Sequence, residues 1–177
     1  MIYLFLAPGF EEIEAVAVVD ILRRAELPIT TVGVPELAVR GAHGMVLVAD
    51  KAVSEVAGEE AEMVILPGGM PGTLNLEKSG VVCRMVRRCM ENGRVSAICA
   101  APSILGHMGL LKGRKAVCFP GFERELKGAQ VAAGPVCCDG NLITANGPGS
   151  AVLFALEIVA QLCGTEKAEA LKAGMQC

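Results

Sequence analysis

The chain has 177 residues, 53% hydrophobic and 20% charged, a composition that excludes disorder and supports one folded domain over residues 1–177. Its 16 basic and 19 acidic residues give a net charge of −3 without a run of either sign, so we expect no nucleic-acid partner. The apolar runs are too short to span a membrane, and no basic residue opens a cleavable signal, so we expect a cytoplasmic protein without a membrane partner.

Hydrophobic periodicity predicts an alternation of strands and helices along the chain. In order, the pattern predicts a buried strand at 2–7, a helix at 12–25, a strand at 29–34, a short hairpin strand at 45–49 and a strand at 63–66. There follow a helix at 81–90, a strand at 95–99, a helix at 102–107, strands at 115–119 and 141–145, and helices at 151–162 and 166–172. This alternation indicates an α/β fold with a mostly parallel sheet covered on both faces.

The cysteines do not form the framework of a disulfide or metal protein. There are eight cysteines but no C-x-x-C pair, Cys137 and Cys138 are adjacent, and only His43 and His107 could complete a metal site. No phosphate-binding G-x-x-x-x-G-K-[ST] loop is present. We therefore expect reduced thiols, no metal and no cofactor.

Ligands of α/β proteins collect where the carboxyl ends of parallel strands meet. Four segments lie at such ends: 8–14, 66–69, 97–102 and 145–149. Cys99 lies at the junction of a strand with a helix, where unpaired backbone N–H groups would lower the pKa of its thiol. The alternative is that Cys99 is a small buried apolar residue, the usual state of a cysteine in a core.

The same edge holds a candidate acid and candidate hydrogen-bond donors. Glu14 lies within an apolar stretch of the first predicted helix, where burial would raise its pKa and let it donate to a thiolate. Glu11 and Glu12 are equally near, so the residue pattern leaves the choice among the three open. Gly68 and Gly69 form either a tight turn or, with the Ala100 N–H, an oxyanion site. The list of candidates is then Cys99, Glu11, Glu12, Glu14, Gly68, Gly69 and Ala100.

Four motifs together resemble the ThiJ/PfpI family, within it the branch that holds the Parkinson's-disease protein DJ-one and bacterial YajL. They are Glu-Glu-Ile-Glu-Ala-Val at 11–16, Val-Ile-Leu-Pro-Gly-Gly at 64–69, Ala-Ile-Cys-Ala-Ala-Pro at 97–102 and Asn-Gly-Pro-Gly at 146–149. They follow one another over nearly the whole chain, which makes chance agreement improbable.

The resemblance implies a flavodoxin-like three-layer α/β/α sandwich of the class I glutamine amidotransferase-like type, usually a homodimer. It implies that Cys99 is the nucleophile, that Glu14 is its protonated partner, and that Gly68, Gly69 and Ala100 line the pocket. Members are described as glyoxalases that need no glutathione, as deglycases, and as oxidative-stress sensors and chaperones.

The chain departs from relatives at two positions of the pocket. Several relatives carry a histidine where this chain has Phe119, so no Cys-His-acid triad is expected and Glu14 must transfer protons alone. Relatives commonly place an arginine of the other subunit where this chain has His43. His43 is either a weaker, pH-dependent substitute or a surface histidine without a role. With Asn146 and Gly147, these two residues form the predicted pocket rim.

Two functions are consistent with these residues. The first is a cysteine-dependent glyoxalase or deglycase that acts on glyoxal, methylglyoxal or their early adducts on protein or nucleotide amines, with Cys99 as nucleophile and Glu14 as acid and base. The second is an oxidative-stress sensor or redox chaperone, in which oxidation of Cys99 changes partner binding without turnover. A cysteine peptidase is disfavoured because Ala100, rather than histidine, follows the cysteine.

Overall fold

A seven-stranded sheet forms the centre of the computed structural model, which describes residues 1–177. Its strands are β1 (Ile2–Leu6), β2 (Ile29–Gly33), β5 (Lys51–Ala52), β6 (Met63–Leu66), β7 (Arg94–Ile98), β10 (Val136–Asp139) and β11 (Leu142–Ala145). Their spatial order is β10-β11-β7-β6-β1-β2-β5, and every pairing is parallel except that of β10 with β11. The carboxyl ends of β1, β6, β7 and β11 therefore lie side by side at one edge.

Six helices cover the two faces of the sheet. They are α1 (Glu12–Arg24), α2 (Gly72–Lys78), α3 (Gly80–Asn92), α4 (Pro102–His107), α5 (Ala151–Cys163) and α6 (Thr165–Gly174). Helices α1, α5 and α6 contribute to one apolar core, and α2, α3 and α4 contribute to the other. The structure thus confirms the flavodoxin-like three-layer α/β/α sandwich. None of the six helices has the length and apolar character needed to cross a bilayer.

Strand β1 shows why the sheet lies between two cores. All five of its residues are buried; Ile2, Leu4 and Leu6 face one core, whereas Tyr3 and Phe5 face the other. A strand alternates its side chains between the faces of a sheet, so an uninterrupted apolar run is the sequence of a strand that is covered twice. This burial makes β1 a rigid support for the loop that leads into α1.

Two small sheets lie outside the central one. A hairpin of β3 (Ala38–Arg40) and β4 (Val46–Val48) confirms the predicted short strand off the main sheet, and β8 (Lys115–Ala116) pairs with β9 (Gln130–Val131). The strand predicted at 115–119 is wrong beyond Ala116. The backbone N–H groups of Val117 and Phe119 instead bond to Thr144 Oγ1 and to the carbonyl of Cys99, so the chain leaves the ladder there.

Candidate active site

Cys99 occupies a strained backbone turn directly after β7. Its φ is +65°, a left-handed conformation that costs a residue with a side chain on the order of 1–3 kcal/mol. Two backbone hydrogen bonds hold it there: the Cys99 N–H donates to the Ala145 carbonyl at 2.9 Å, and the Phe119 N–H donates to the Cys99 carbonyl at 2.8 Å. The neighbouring strand and the following loop thus fix the orientation of the thiol.

Glu14 reaches the thiol from the first turn of α1 and is 0% exposed. Glu11 caps that helix, because its Oε2 accepts a hydrogen bond from the Glu14 N–H at 2.8 Å. The Gly68 N–H donates to Glu14 Oε2 at 2.7 Å, whereas Glu14 Oε1 has no hydrogen-bond partner in the chain. One carboxyl oxygen is anchored, and the other is buried and available for a reacting group.

Gly68 is the residue that lets the cysteine and the acid meet. A Cβ atom placed on Gly68 would lie 2.6 Å from Cβ of Cys99 and 2.8 Å from Oε2 of Glu14, closer than real side chains approach. Any other amino acid at this position would push the two groups apart. Of the three glutamates that the sequence pattern left open, the structure brings only Glu14 against Cys99.

The two groups compete for one proton. Burial is the largest influence on both; it raises the pKa of Glu14 to about 7, although the Gly68 N–H and the neighbouring Cys99 thiol act to lower it. Burial together with the adjacent Glu14 carboxylate raises the pKa of Cys99 to about 12, although the N–H groups of Ala100 and Gly69 act to lower it. The predicted lowering of the Cys99 pKa is therefore wrong, because burial beside a carboxylate outweighs two backbone donors. The pair holds a single proton over a wide pH range.

The predicted oxyanion donors divide into two roles. The Gly68 N–H is engaged by Glu14, so it positions the acid and is not free for a substrate. The Gly69 and Ala100 N–H groups face the Cys99 sulfur closely enough to act on its pKa, next to the point where a covalent adduct would form. These two donors are the ones that could receive developing negative charge.

The predicted rim residues differ in what they do. The ring of Phe119 lies over Gly147, while Asn146 is turned inward, its Oδ1 accepting from the Ser150 hydroxyl at 2.7 Å. His43 is 70% exposed and bonds through Nδ1 to Glu12 Oε2 at 2.9 Å, so it serves the β3–β4 hairpin rather than Cys99 of the same chain. Asn146 and His43 are thus tied to their own neighbours.

A mixed cluster at the start of α1 was not predicted. The ligand atoms of Glu11, Glu12 and His43 lie within 4.8 Å of one another. Both oxygens of Glu12 are already engaged, Oε1 by the His43 N–H and Oε2 by the His43 ring. This cluster therefore anchors the hairpin to α1, and its residues were visible in the sequence only as charges near a helix start.

Sequence reasoning also missed the residues that act through their backbone. Ala145 holds the cysteine turn through its carbonyl, and no sequence signal marks it, because the β7–β11 register decides which carbonyl faces Cys99. His107, assigned to structure, is held by Glu77 at 2.6 Å and Glu125 at 2.9 Å, away from the thiol. All eight cysteines are free.

Comparison with known proteins identifies the family. The family model described as the DJ-1/PfpI family matches residues 1–161. The chain belongs to the DJ-1/PfpI family. Among DJ-1/PfpI proteins of known structure, "Toxoplasma gondii DJ-1, oxidized" superposes with a TM-score of 0.95 at 34% identity, covering 99% of this chain and 97% of that one.

Two curated DJ-1/PfpI relatives differ in how much of their length the chain spans. "Protein DJ-1 homolog B" of Arabidopsis thaliana is 37% identical over 167 residues, which are 92% of this chain but only 38% of that protein. "Glutathione-independent glyoxalase DJR-1.2" of Caenorhabditis elegans is 31% identical over 163 residues, 91% of this chain and 87% of that protein. The family and fold expected from the motifs are thereby confirmed.

Proposed function

We propose that this DJ-1/PfpI protein is a glyoxalase that needs no glutathione or other cofactor and converts 2-oxoaldehydes such as methylglyoxal to 2-hydroxy acids. The observation that carries the proposal is the buried Glu14 carboxyl beside Cys99, with one oxygen anchored by Gly68 and the other without a partner. A glyoxalase needs both a nucleophile and a base that can return the proton it takes, and this pair supplies them. The glyoxalase name of the Caenorhabditis elegans relative supports the same activity.

The first step joins the sulfur of Cys99 to the aldehyde carbon of the substrate. The thiol proton passes to Glu14, whose pKa of about 7 leaves a large carboxylate fraction at neutral pH. The N–H groups of Gly69 and Ala100 face the sulfur and stabilise negative charge on the adjacent oxygen until it is protonated. The product of this step is a hemithioacetal.

The second step moves a hydrogen between two carbons without an external oxidant. Glu14 takes the proton from the former aldehyde carbon, an enediol forms, and the same carboxyl returns a proton to the neighbouring carbon. The aldehyde carbon is thereby oxidised to a thioester and the keto carbon reduced to an alcohol, so the electrons balance within the substrate. Water then cleaves the thioester, which frees Cys99 and releases lactate when methylglyoxal is the substrate.

The same groups extend the proposal to deglycase activity. An early adduct of methylglyoxal with a protein or nucleotide amine carries the amine on the carbon that Cys99 attacks, so the amine leaves as the hemithioacetal forms.

Cys99→Ser is expected to abolish lactate formation from methylglyoxal, measured with lactate-specific detection, while Cys163→Ser at an exposed helix end leaves it intact. Undiminished turnover by Cys99→Ser would contradict the proposal.

A redox sensor is the second candidate, favoured by the two N–H donors at the sulfur. Oxidation of Cys99 by a peroxide to sulfinic acid would place oxygens where the Gly69 and Ala100 N–H groups can bind them, next to a carboxyl that is readily protonated. Mass spectrometry after mild peroxide treatment should find sulfinate first at Cys99. Oxidation spread evenly over the eight cysteines would exclude a sensor.

We infer that the protein forms a homodimer through α1 and the β3–β4 hairpin. Apolar side chains are exposed on both elements: Ile13 and Val16 on α1, at 57% and 44%, and Met45, Val46 and Val48 on the hairpin, at 61%, 50% and 74%. A contiguous apolar face of this kind marks an association surface. Light scattering should give the dimer mass for the native chain and the monomer mass for Val48→Glu, and a native monomer would refute the inference.

A further inference from the structure

Phe119 is a large apolar side chain held at the mouth of the candidate site. It is 42% exposed, although Val117 and Cys118 just before it are buried. The Phe119 N–H donates to the Cys99 carbonyl at 2.8 Å, so the backbones of these two residues are hydrogen-bonded to each other. The backbone of Phe119 is therefore fixed next to Cys99.

Gly147 provides the surface on which the ring rests. A Cβ atom on Gly147 would lie 3.1 Å from Cδ2 and 3.5 Å from Cε2 of Phe119, so glycine lets the ring approach the backbone after β11 closely. Ala145, two residues before Gly147, is the residue whose carbonyl accepts from the Cys99 N–H. The Phe119 ring is thus in contact with Gly147 and still 42% exposed, beside the residue that carries the nucleophile.

The groups around the thiol offer no attraction to a charged substrate. Glu14 has only Gly68 as a hydrogen-bond donor and forms no ion pair, and the remaining neighbours of the sulfur are the backbone N–H groups of Gly69 and Ala100. The imidazole of His43 is bound to Glu12. An acidic or phosphorylated aldehyde would therefore face a carboxyl without a cation to offset it.

We propose that Phe119 on its Gly147 support makes the site selective for neutral 2-oxoaldehydes with an aromatic or bulky apolar substituent, such as arylglyoxals. The inference rests on the proposed glyoxalase function and adds its substrate class. An aryl group stacks on the exposed ring face while the aldehyde carbon reaches Cys99. Phenylglyoxal becomes mandelate by the same sulfur addition, internal proton transfer and hydrolysis, with no further reactant.

The selectivity is tested with phenylglyoxal and methylglyoxal on three variants. The ratio of kcat/KM for phenylglyoxal to that for methylglyoxal should exceed one in the native protein and fall about tenfold in Phe119→Ala, mainly through KM. Phe119→Leu, which keeps an apolar side chain, should retain most of the ratio. Leu153→Ala, at an exposed apolar position on α5, is the matched control and should keep both rate constants. An equal ratio in the native protein and Phe119→Ala would overturn the inference.

A binding measurement separates this inference from the proposed activity. Acetophenone and acetone carry no aldehyde, so protection of Cys99 from iodoacetamide, followed by mass spectrometry, reports binding without turnover. Acetophenone should protect Cys99 at lower concentration than acetone in the native protein, and this advantage should shrink about tenfold in Phe119→Ala. Equal protection by the two ketones would refute the aromatic site. Absence of turnover with both aldehydes would instead refute the glyoxalase function.

Discussion

Glu12 and Glu14 lie two residues apart on the same helix and expose almost none of their surface, 4% and 0%, yet their pKa values shift in opposite directions. Burial acts to raise both. At Glu12 the hydrogen bonds from the His43 ring and backbone outweigh burial and lower the pKa, whereas at Glu14 the donors are too few and the pKa rises to about 7. Glu14 lies deeper in the protein and meets fewer donors than Glu12, and the two differences together separate a reactive carboxyl from a structural carboxylate.

The difference follows from what each side chain meets. Residues two apart on a helix point about 200° away from each other around its axis. Glu12 therefore faces the β3–β4 hairpin, whereas Glu14 faces the end of β6. The hairpin offers the His43 backbone and ring, while the end of β6 offers one Gly68 N–H and the Cys99 thiol. A carboxyl left with an unpartnered oxygen is costly for folding but able to exchange protons.

The largest expected effect is the loss of activity in Glu14→Gln. An amide cannot accept and return the substrate proton, so kcat for lactate formation should fall by about 10²–10⁴-fold. Glu12→Gln, its matched control on the same helix, should retain most of the rate because Glu12 does not contact Cys99. A comparable loss in both variants would show that the two carboxylates do not differ in role.

The second effect is a pH dependence that follows the Glu14–Cys99 pair. The form with one shared proton is reactive, and below pH 7 it is replaced by the doubly protonated pair because the Glu14 pKa is about 7. The kcat/KM for methylglyoxal should therefore rise about tenfold per pH unit up to pH 7 and level off above it. The Glu12→Gln variant should keep this profile. A flat profile between pH 5 and 7 would contradict the assignment of the raised pKa to Glu14.

The sequence predicted the central fold because its signals are local. Apolar runs ended by proline or glycine marked β1 and β6, and helical periodicity marked α1 and α3, so the mostly parallel sheet and its covering layers followed. The pattern missed α2, whose start at Pro71-Gly72 has the composition of a turn, and β10, which joins the sheet through a hairpin with β11. The strand predicted at 115–119 ends at Ala116 because the next N–H groups bond to Thr144 and Cys99, which are distant in sequence.

The sequence predicted which residues lie together in the candidate site, but not the direction in which the pKa of Cys99 shifts. Cys99 stood out through its place at a strand end, but the direction of its pKa depends on a glutamate 85 positions earlier that is brought within reach only by the fold. Likewise Gly68 was a candidate for either a tight turn or an oxyanion site from its place at a strand end, whereas its N–H is directed at Glu14. Residue types at strand ends are readable from a sequence, whereas the direction of an N–H is set by strand register.

The smallest effect should appear in stability, where Glu12 is expected to matter although it has no catalytic role. Glu12→Ala removes the acceptor of the His43 N–H, a loss of about 1–2 kcal/mol in the free energy of unfolding measured with urea. Asp20→Ala, on the exposed face of the same helix, should cost less.

The difference in the free energy of unfolding between the native protein and Glu12→Ala should depend on pH. The folded-state pKa of Glu12 lies below its ordinary value of 4.5, so its contribution is present above pH 4.5 and is lost as the pH falls through the lower value. The same contact raises the pKa of His43 above its ordinary value of 6.5. The stabilisation that depends on a protonated His43 is therefore present below pH 6.5 and is lost as the pH rises through the raised value. The gap between the two proteins should thus be widest between pH 4.5 and 6.5, and a gap that grows below pH 4.5 would show that Glu12 is not held as a carboxylate.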